Sequence, residues 1–320
     1  MVMSGFQKIN AGYNSTFQFG ELSIGIVVPI ENYANGPVPK MADHIQRVKL
    51  VDQLGFKALW LRDVPLHVPS FGDDGQTYDP FTYLGFIAGQ TEQIALGISS
   101  IALPLHHPIH VAKSVNTIDQ LSGGRLLLGI ASGDRAEEYP ALATDYENRG
   151  ASFRHAYEHI RASENDFPIL DNNPLGILDG TMDILPKPYG AKVPMLVTGH
   201  SQQSTEWIAN NADGWMFYPR DFHTQEMRIR EWRQLISKSQ EWSKPFMQPL
   251  YIDLMSKSDF KPQGIHLGIR TGTDFLIEYL NGIKSIGVNH VALNLRFNNA
   301  YIEQTLELLA EKVMPHFHNN

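Results

Sequence analysis

The sequence predicts an α/β protein, a (β/α)8 TIM barrel with insertions after strands four and seven. Short apolar runs rich in β-branched residues alternate eight times with segments of helical period, as βαβ units around a parallel sheet do. No linker or shift in composition divides the 320 residues, which disfavours the rival arrangement, an open doubly wound sheet with a second domain. No fixed short repeat marks a solenoid. A barrel takes about 250 residues and tolerates insertions. The chain therefore reads as one domain over 1–320, with an N-terminal extension over 1–20 and an insertion over 166–192.

The elements follow in order. Strand one is 24–30, and Pro37 and Pro39 lead into a helix over 41–54 that Gly55 ends. Strand two is 57–64. Asp79 and Pro80 read as an N-cap and a first-turn proline, opening a helix to Gly89. Strand three is 94–103, Pro108 opens a helix that stops at Ser122-Gly123-Gly124, and strand four is 125–131. After a helix over 150–164, residues 166–192 break the rhythm with Pro168, Pro174, Pro186 and Pro188, and a small hairpin is expected around Asp179-Gly180. Strand five is 193–199 with a helix to Asn211, strand six is 213–218 with a helix over 222–239, and strand seven is 246–254. Residues 255–272 are irregular, with the character of a lid. A helix over 273–286, strand eight at 290–295 and a helix over 300–313 complete the pattern.

A net charge of −8 and scattered basic residues argue against a nucleic-acid or anionic-membrane partner. With no cysteine, disulfides, thiolate metal sites and thiol nucleophiles are excluded. Residues 1–20 have neither a basic n-region nor an apolar h-region, so no signal peptide is expected. No apolar run approaches the roughly 18 residues of a membrane helix, and the expected location is cytoplasmic.

There is no G-x-G-x-x-G, no Walker A lysine and no G-x-S-x-G elbow, so the chemistry is not expected from a side-chain nucleophile. His106, His107 and His110, and the i, i+4 pair His155 and His159, lack a carboxylate at ligand spacing, and no metal site is expected. His106 and His107, flanked by Pro104 and Pro108, read as pocket walls or caps. Adjacent carboxylates at Asp73/Asp74 and Glu137/Glu138 cannot converge across a cleft as a glycosidase needs. The first pair reads as a turn and the second as a solvated helix start. More telling is the segment 198–207, where a strand ends at Gly199 and serines open a helix. Free N–H groups and the helix dipole there favour a phosphate, with the hydroxyls of Ser201 and Ser204 as added donors; ordinary N-capping explains the serines as well.

Residues 96–109, with Leu103-Pro104-Leu105-His106-His107-Pro108, and residues 119–130, with Asp119-Gln120-Leu121-Ser122-Gly123-Gly124-Arg125, resemble the luciferase-like monooxygenase family. Ser204-Thr205-Glu206-Trp207, Ala212-Asp213-Gly214-Trp215 and Gly287-Val288-Asn289-His290 extend the likeness over about 22–315. The resemblance implies a barrel that binds FMN, or in some members the deazaflavin F420, and a small-molecule substrate. It implies the phosphate at Gly199, His200, Ser201 and Ser204, helped by an arginine for which Arg149 is the nearest match and Arg154 a weaker one. It further implies a non-prolyl cis peptide at Ser99-Ser100 under the flavin ring, and a homodimer.

Departures from the family are informative. Where bacterial luciferase has a histidine after strand two, this chain has Arg62 and Asp63, placed to contact substrate or ring; a plain salt bridge explains them equally well. Ala131 stands at the reactive-cysteine position and Ser132 at the phosphate-binding arginine, so light emission with an aldehyde is not expected. The expected activity is monooxygenation with reduced FMN and O2, with Leu105, Trp215 and Tyr218 keeping water off, and a flavin reductase as a further partner. The alternatives are an F420-dependent reductase or dehydrogenase, a flavin-binding protein without turnover and, on fold analogy alone, a sugar- or phosphate-metabolising barrel.

Overall fold

The computed structural model describes residues 5–318. In chain order come α1 (Ala11–Thr16), β1 (Ser23–Val27), α2 (His44–Gln53), β2 (Ala58–Leu61), α3 (Pro80–Ala88), β3 (Ala95–Ala102), α4 (Pro108–Leu121) and β4 (Leu126–Ala131). Then follow α5 (Glu138–Ala141), α6 (Arg149–Ala162), β5 (Ile169–Leu170), β6 (Leu178–Asp179), β7 (Met195–Thr198), α7 (Thr205–Asn211) and β8 (Gly214–Met216). Last are α8 (Phe222–Ser239), β9 (Phe246–Leu254), β10 (Gln263–Ile265), β11 (Gly268–Thr271), α9 (Thr273–Ser285), β12 (His290–Asn294) and α10 (Ile302–Leu308). Among the described residues no helix is long and apolar enough to cross a membrane.

Eight parallel strands close on themselves in the order β1-β2-β3-β4-β7-β8-β9-β12, with β8–β9 and β12–β1 completing the ring. The capping chemistry that marked the helices is present. Asp79 accepts from Thr82 N at 2.7 Å with Pro80 in the first turn, and His107 accepts from Ile109 N at the head of α4.

Two expectations change in detail. The hairpin of the insertion is β5–β6, so Asp179 ends its second strand and the connection lies over 171–177, not at Asp179-Gly180. The irregular segment 255–272 contains the β10–β11 hairpin, and β11 pairs in parallel with the outer part of β9.

Side chains alternate in and out of the barrel. Outward residues such as Ile24, Leu59, Ile98, Leu128 and Trp215 pack under the helices, and the inward set includes Val27, Trp60, Leu127, Met216 and Met247. The N-terminal extension belongs to this inner core: Phe6, Ile9, Tyr13 and Phe17 plug the end of the barrel where the strands begin. Asn10 Nδ2 donates to Leu126 O at 2.8 Å, Tyr13 OH to Asp213 O at 2.8 Å, and Gly12 sits so close that a Cβ would lie 2.4 Å from Arg125 O. The Asp119–Arg125 motif works at the same end. Arg125 is buried and donates to the carbonyls of Ala88, Thr91 and Ile94, while Asp119 accepts from Asn10 and Tyr189 N.

The barrel floor is a packed Trp60–His290 pair. Trp60 Nε1 donates to His290 Nε2 at 2.9 Å, His290 Nδ1 donates to Ser23 Oγ at 2.7 Å, and Ser23 Oγ donates to Thr16 O at 2.6 Å. This chain is satisfied only by a neutral imidazole with its proton on Nδ1. Full burial, with a contribution from His318, brings the His290 pKa down to about 3. The two rings fit because Gly25 and Gly97 stand beside them; a Cβ on Gly97 would lie 2.2 Å from the Trp60 ring.

Gly97→Ala therefore overpacks the floor and is expected to lower stability by about 1–3 kcal/mol in urea unfolding, with unchanged helical content by circular dichroism. Because the folded His290 titrates below its unfolded value, stability falls as pH drops from about 6.5 toward 3, by up to about 1.4 kcal/mol per pH unit for this group. The same titration on His290→Gln should show about one proton less taken up on unfolding at pH 5.

Candidate functional site

At the other end of the barrel, where strands finish and βα loops begin, a solvent-open cleft of about 1080 Å3 crosses the mouth. Toward the barrel axis lies a second, more apolar chamber of about 570 Å3, also partly open to solvent; Arg62, Ser99, Thr198 and Tyr218 line both.

One end of the cleft is built where β7 stops. Gly199 N still donates to Met216 O at 2.8 Å, and Gln203 N donates to His200 O at 2.8 Å. Between them the N–H groups of His200, Ser201 and Gln202 have no acceptor among the described residues. Gly199, Ser201 and Gln202 take φ of +57°, +46° and +59°, and a Cβ on Gly199 would meet nothing within 4 Å. Successive turn residues of this kind form concave arrays of amides that bind anions. Gln203 bolts this loop to the start of α6: its Nε2 donates to Gly150 O at 2.8 Å and its Oε1 accepts from Arg154 Nη2 at 2.6 Å. The approach needs Gly150, where a Cβ would lie 2.7 Å from Gln202 Cβ. Arg149 is thereby held on the cleft wall, stacked 3.8 Å from the Tyr146 ring, with Nη1 on Tyr146 O at 2.7 Å and Nε without a partner among the described residues.

The cleft wall at β3 carries Ser99-Ser100, whose peptide bond is cis. The ladder to β4 shifts register between Ile98 and Ile101, turning this backbone out of the sheet, and Ser100 Oγ donates to Thr198 Oγ1. Ser132 also lines the cleft, its carbonyl accepting from Tyr139 OH.

The far side holds the polar side chains after β2. Arg62 and Asp63 do not pair with each other. Arg62 makes a bidentate pair with Asp73, Nη1 to Oδ2 at 3.0 Å and Nη2 to Oδ1 at 2.9 Å, and Nη2 also reaches Tyr33 OH at 2.9 Å. Arg296 Nη1 lies 2.9 Å from the same carboxylate, and Tyr251 OH donates to it at 3.3 Å. Burial alone would raise the Asp73 carboxyl, but Arg62, the Gly75 N–H and Arg296 hold it at about 2. Burial pushes Tyr33 well above the usual phenol range, so its oxygen stays protonated. Asp63 Oδ2 accepts from His106 Nε2 at 2.7 Å and from Ala102 N at 3.1 Å. Burial opposes charge on His106, yet the bond to Asp63 and its charge raise the imidazole pKa overall.

The sequence profile described as Luciferase-like monooxygenase matches residues 22–246. The chain belongs to this family. An uncharacterised protein of Mycobacterium tuberculosis is 32% identical over 153 residues, 47% of this chain and 54% of that protein. The alkanal monooxygenase alpha chain of Photorhabdus luminescens is 28% identical over 165 residues, 51% of this chain and 44% of that one. The chain thus spans about half the length of these curated relatives. In fold it is similar to the monooxygenase RslO1 from Streptomyces bottropensis, with TM-score 0.76, 17% identity and coverage of 92% and 99% of the two chains. An F420-dependent secondary alcohol dehydrogenase in complex with an F420-acetone adduct superposes with TM-score 0.75, 16% identity and coverage of 93% and 100%. The oxygenating constituent of 3,6-diketocamphane monooxygenase from Pseudomonas putida, in complex with FMN, does so with TM-score 0.72, 12% identity and coverage of 94% and 100%.

Within this luciferase-like site, Arg62, Asp63, Ser99, Ser100, Ser132, Arg149, Gly199, His200 and Ser201 all line the cleft. Ser204 does not: it is exposed, and its Oγ accepts from Trp207 N as the cap of α7. The Ser201 hydroxyl donates to Thr198 O at 2.8 Å, so Ser201 offers its amide rather than its side chain. Arg154 is engaged by Gln203. Trp215, expected near the mouth, points outward between β8 and α8 against Trp232, because inward and outward positions alternate and Met216 takes the inward place. Two readings of acidic pairs are corrected. Asp73 is the buried hub of an ion cluster, not a turn residue alone, and Glu138 is buried on the cleft wall, not solvated, with Arg135 Nη1 4.0 Å away. Asp73→Asn leaves two guanidinium groups sharing a neutral partner, and urea unfolding should show a loss of about 3 kcal/mol.

Proposed function

We propose that the protein is a flavin-dependent monooxygenase that uses reduced FMN and O2 on a small organic substrate. The observation that carries the reading is the row of three amides at 200–202 without acceptors among the described residues, beside a cleft that Arg149 also lines. A phosphate dianion suits that donor set, which offers N–H groups and a guanidinium and no carboxylate from 198–202. Family membership and the FMN-bound fold neighbour support the choice of cofactor.

When bound, the flavin supplies the redox chemistry; the protein supplies binding, orientation and exclusion of water. Arg149 and the amides of His200, Ser201 and Gln202 would hold the phosphate. The Ser99-Ser100 backbone, turned out of the sheet, would support the ring. The Asp63–His106 pair keeps a proton available at the cleft edge, on or near His106 Nε2. Tyr218 lies between cleft and chamber and limits water at the reacting centre. The proposal extends to a homodimer supplied with reduced flavin by a reductase. An F420-dependent fold neighbour favours a second reading, hydride transfer with F420 on the same scaffold.

Titrating the protein into FMN should quench flavin fluorescence with a dissociation constant in the tens of micromolar or tighter, for oxidised or reduced flavin, and more tightly than F420. Arg149→Met should weaken FMN binding about tenfold or more while leaving riboflavin, which has no phosphate, within about twofold of the unaltered protein. Absence of binding by either flavin form removes the reading, and tighter binding of F420 replaces it with the second.

A further inference from the structure

The chamber under the cleft has a composition that the cofactor reading does not use. Its walls are Val27, Met216, Met247, Pro249 and Ala292, inward side chains from four strands. The walls are apolar and the chamber lining includes no aspartate or glutamate. Into this setting come Arg62, from just past the end of β2, and Asn294, from the end of β12, the strands on either side of β1.

The orientation of Asn294 is fixed by its neighbour. Arg296 N donates to Asn294 Oδ1 at 3.0 Å, so the amide nitrogen is the free end, and Nδ2 has no protein acceptor among the described residues. Arg62 uses both hydrogens of Nη2, on Asp73 and Tyr33, but only one hydrogen of Nη1. Two guanidinium groups, Arg62 and Arg296, share the single carboxylate of Asp73, and the phenols of Tyr33 and Tyr251 are neutral. The neighbouring Asp253 is engaged by Arg270 and Asn299. Beside the chamber two guanidinium groups thus converge on the one carboxylate they share, and each stays charged.

We propose that the chamber is the substrate pocket and takes a compact apolar organic anion, its oxygens held between Arg62 Nη1 and Asn294 Nδ2. The assignment of that anion as substrate rests on the cofactor reading of the cleft; the preference for an anion rests on the chamber alone. Carboxylates, sulfonates and enolates share the required chemistry, an oxygen anion on an apolar body. The electron-rich ring of a reduced flavin offers the same chemistry from the cleft side, and the experiment separates the two sources.

Hexanoate and benzoate, with hexanol and benzyl alcohol as neutral counterparts, are titrated calorimetrically into the full chain, alone and after loading with reduced FMN. The expected result is binding of each carboxylate at least about tenfold tighter than its alcohol, with and without FMN. Asn294→Asp keeps the acceptor for Arg296 N but replaces the free donor by a negative oxygen, and should abolish the preference while circular dichroism shows an unchanged fold. Equal affinity for acids and alcohols overturns the inference, as does a preference untouched in Asn294→Asp. A preference that vanishes on loading with reduced FMN overturns it too, by assigning the positive charge to the cofactor ring. Failure of FMN to bind, with the acid preference intact, sinks the cofactor reading and leaves the anion pocket standing.

Discussion

A closed barrel leaves backbone hydrogen-bonding groups free only where its ladder ends, and the site depends on where that happens. Apart from the break in the β3–β4 ladder at Ser99-Ser100, neighbouring strands pair around the ring, so the amides open to a ligand lie mainly where strands end. At β7 the last rung is Gly199 N to Met216 O. Beyond it the chain turns through left-handed conformations at Ser201 and Gln202, and the next three N–H groups meet no acceptor among the described residues. The short strands β7 and β8 place this end of the ladder at the rim. Gln203 then fixes the loop against Gly150, so the amides and Arg149 are presented by a rigid corner between two helices rather than by a mobile loop. Preorganised donors of this kind lose little freedom on binding, which is what makes them effective.

The depth of the site follows from the alternation of side chains. Trp60 and His290 form the floor on the axis, above the plug made by the N-terminal segment, and Gly25 and Gly97 leave room for their rings. Above that layer the inward residues are the smaller Val27, Ser99, Thr198 and Ala292, and the chamber opens. The same alternation turns Trp215 away from the mouth and Met216 toward it. The ion cluster around Asp73 closes the rim opposite the amides, drawing on Tyr33, Arg62, Tyr251 and Arg296 from four separate segments. The site is thus donor-rich at both ends and apolar between, an arrangement suited to a flattened cofactor with an anionic tail and a smaller partner beneath it.

How much of this was legible in the sequence depended on how local each cause was. The barrel was legible because strands and caps are signalled within a few residues: Asp79-Pro80 at α3, the glycines after α4, the β-branched run of β1 and the apolar centre of β12. The end of β7 at Gly199 was legible because a strand ending at glycine before a helix is also a local signal, whereas the Ser201 hydroxyl, read as a donor toward the cleft, is turned back onto Thr198 O. Asp73 was not. Between Gly72 and Gly75 it has the local chemistry of a turn, and its three charged and phenolic partners beyond Arg62 lie far away in the chain. Gln203 and Asn294 are ordinary polar residues until the fold brings Gly150 and Arg62 beside them. Ser204 illustrates the converse: its local signal is an N-cap, the contact it makes is that cap, and it is exposed past the point where the ladder ends. The N-terminal plug was missed because its apolar residues, Phe6, Ile9, Tyr13 and Phe17, follow no strict period.

The central claim is that an anionic phosphate is recognised by main-chain groups released at the end of β7. The most direct measurement is a crystal structure of the protein soaked with FMN. The account predicts phosphate oxygens within hydrogen-bond distance of the amides of His200, Ser201 and Gln202 and of the Arg149 guanidinium, with the ring lying against Ser99-Ser100. An ordered flavin whose phosphate is bound elsewhere, with those three amides still unengaged, would contradict it.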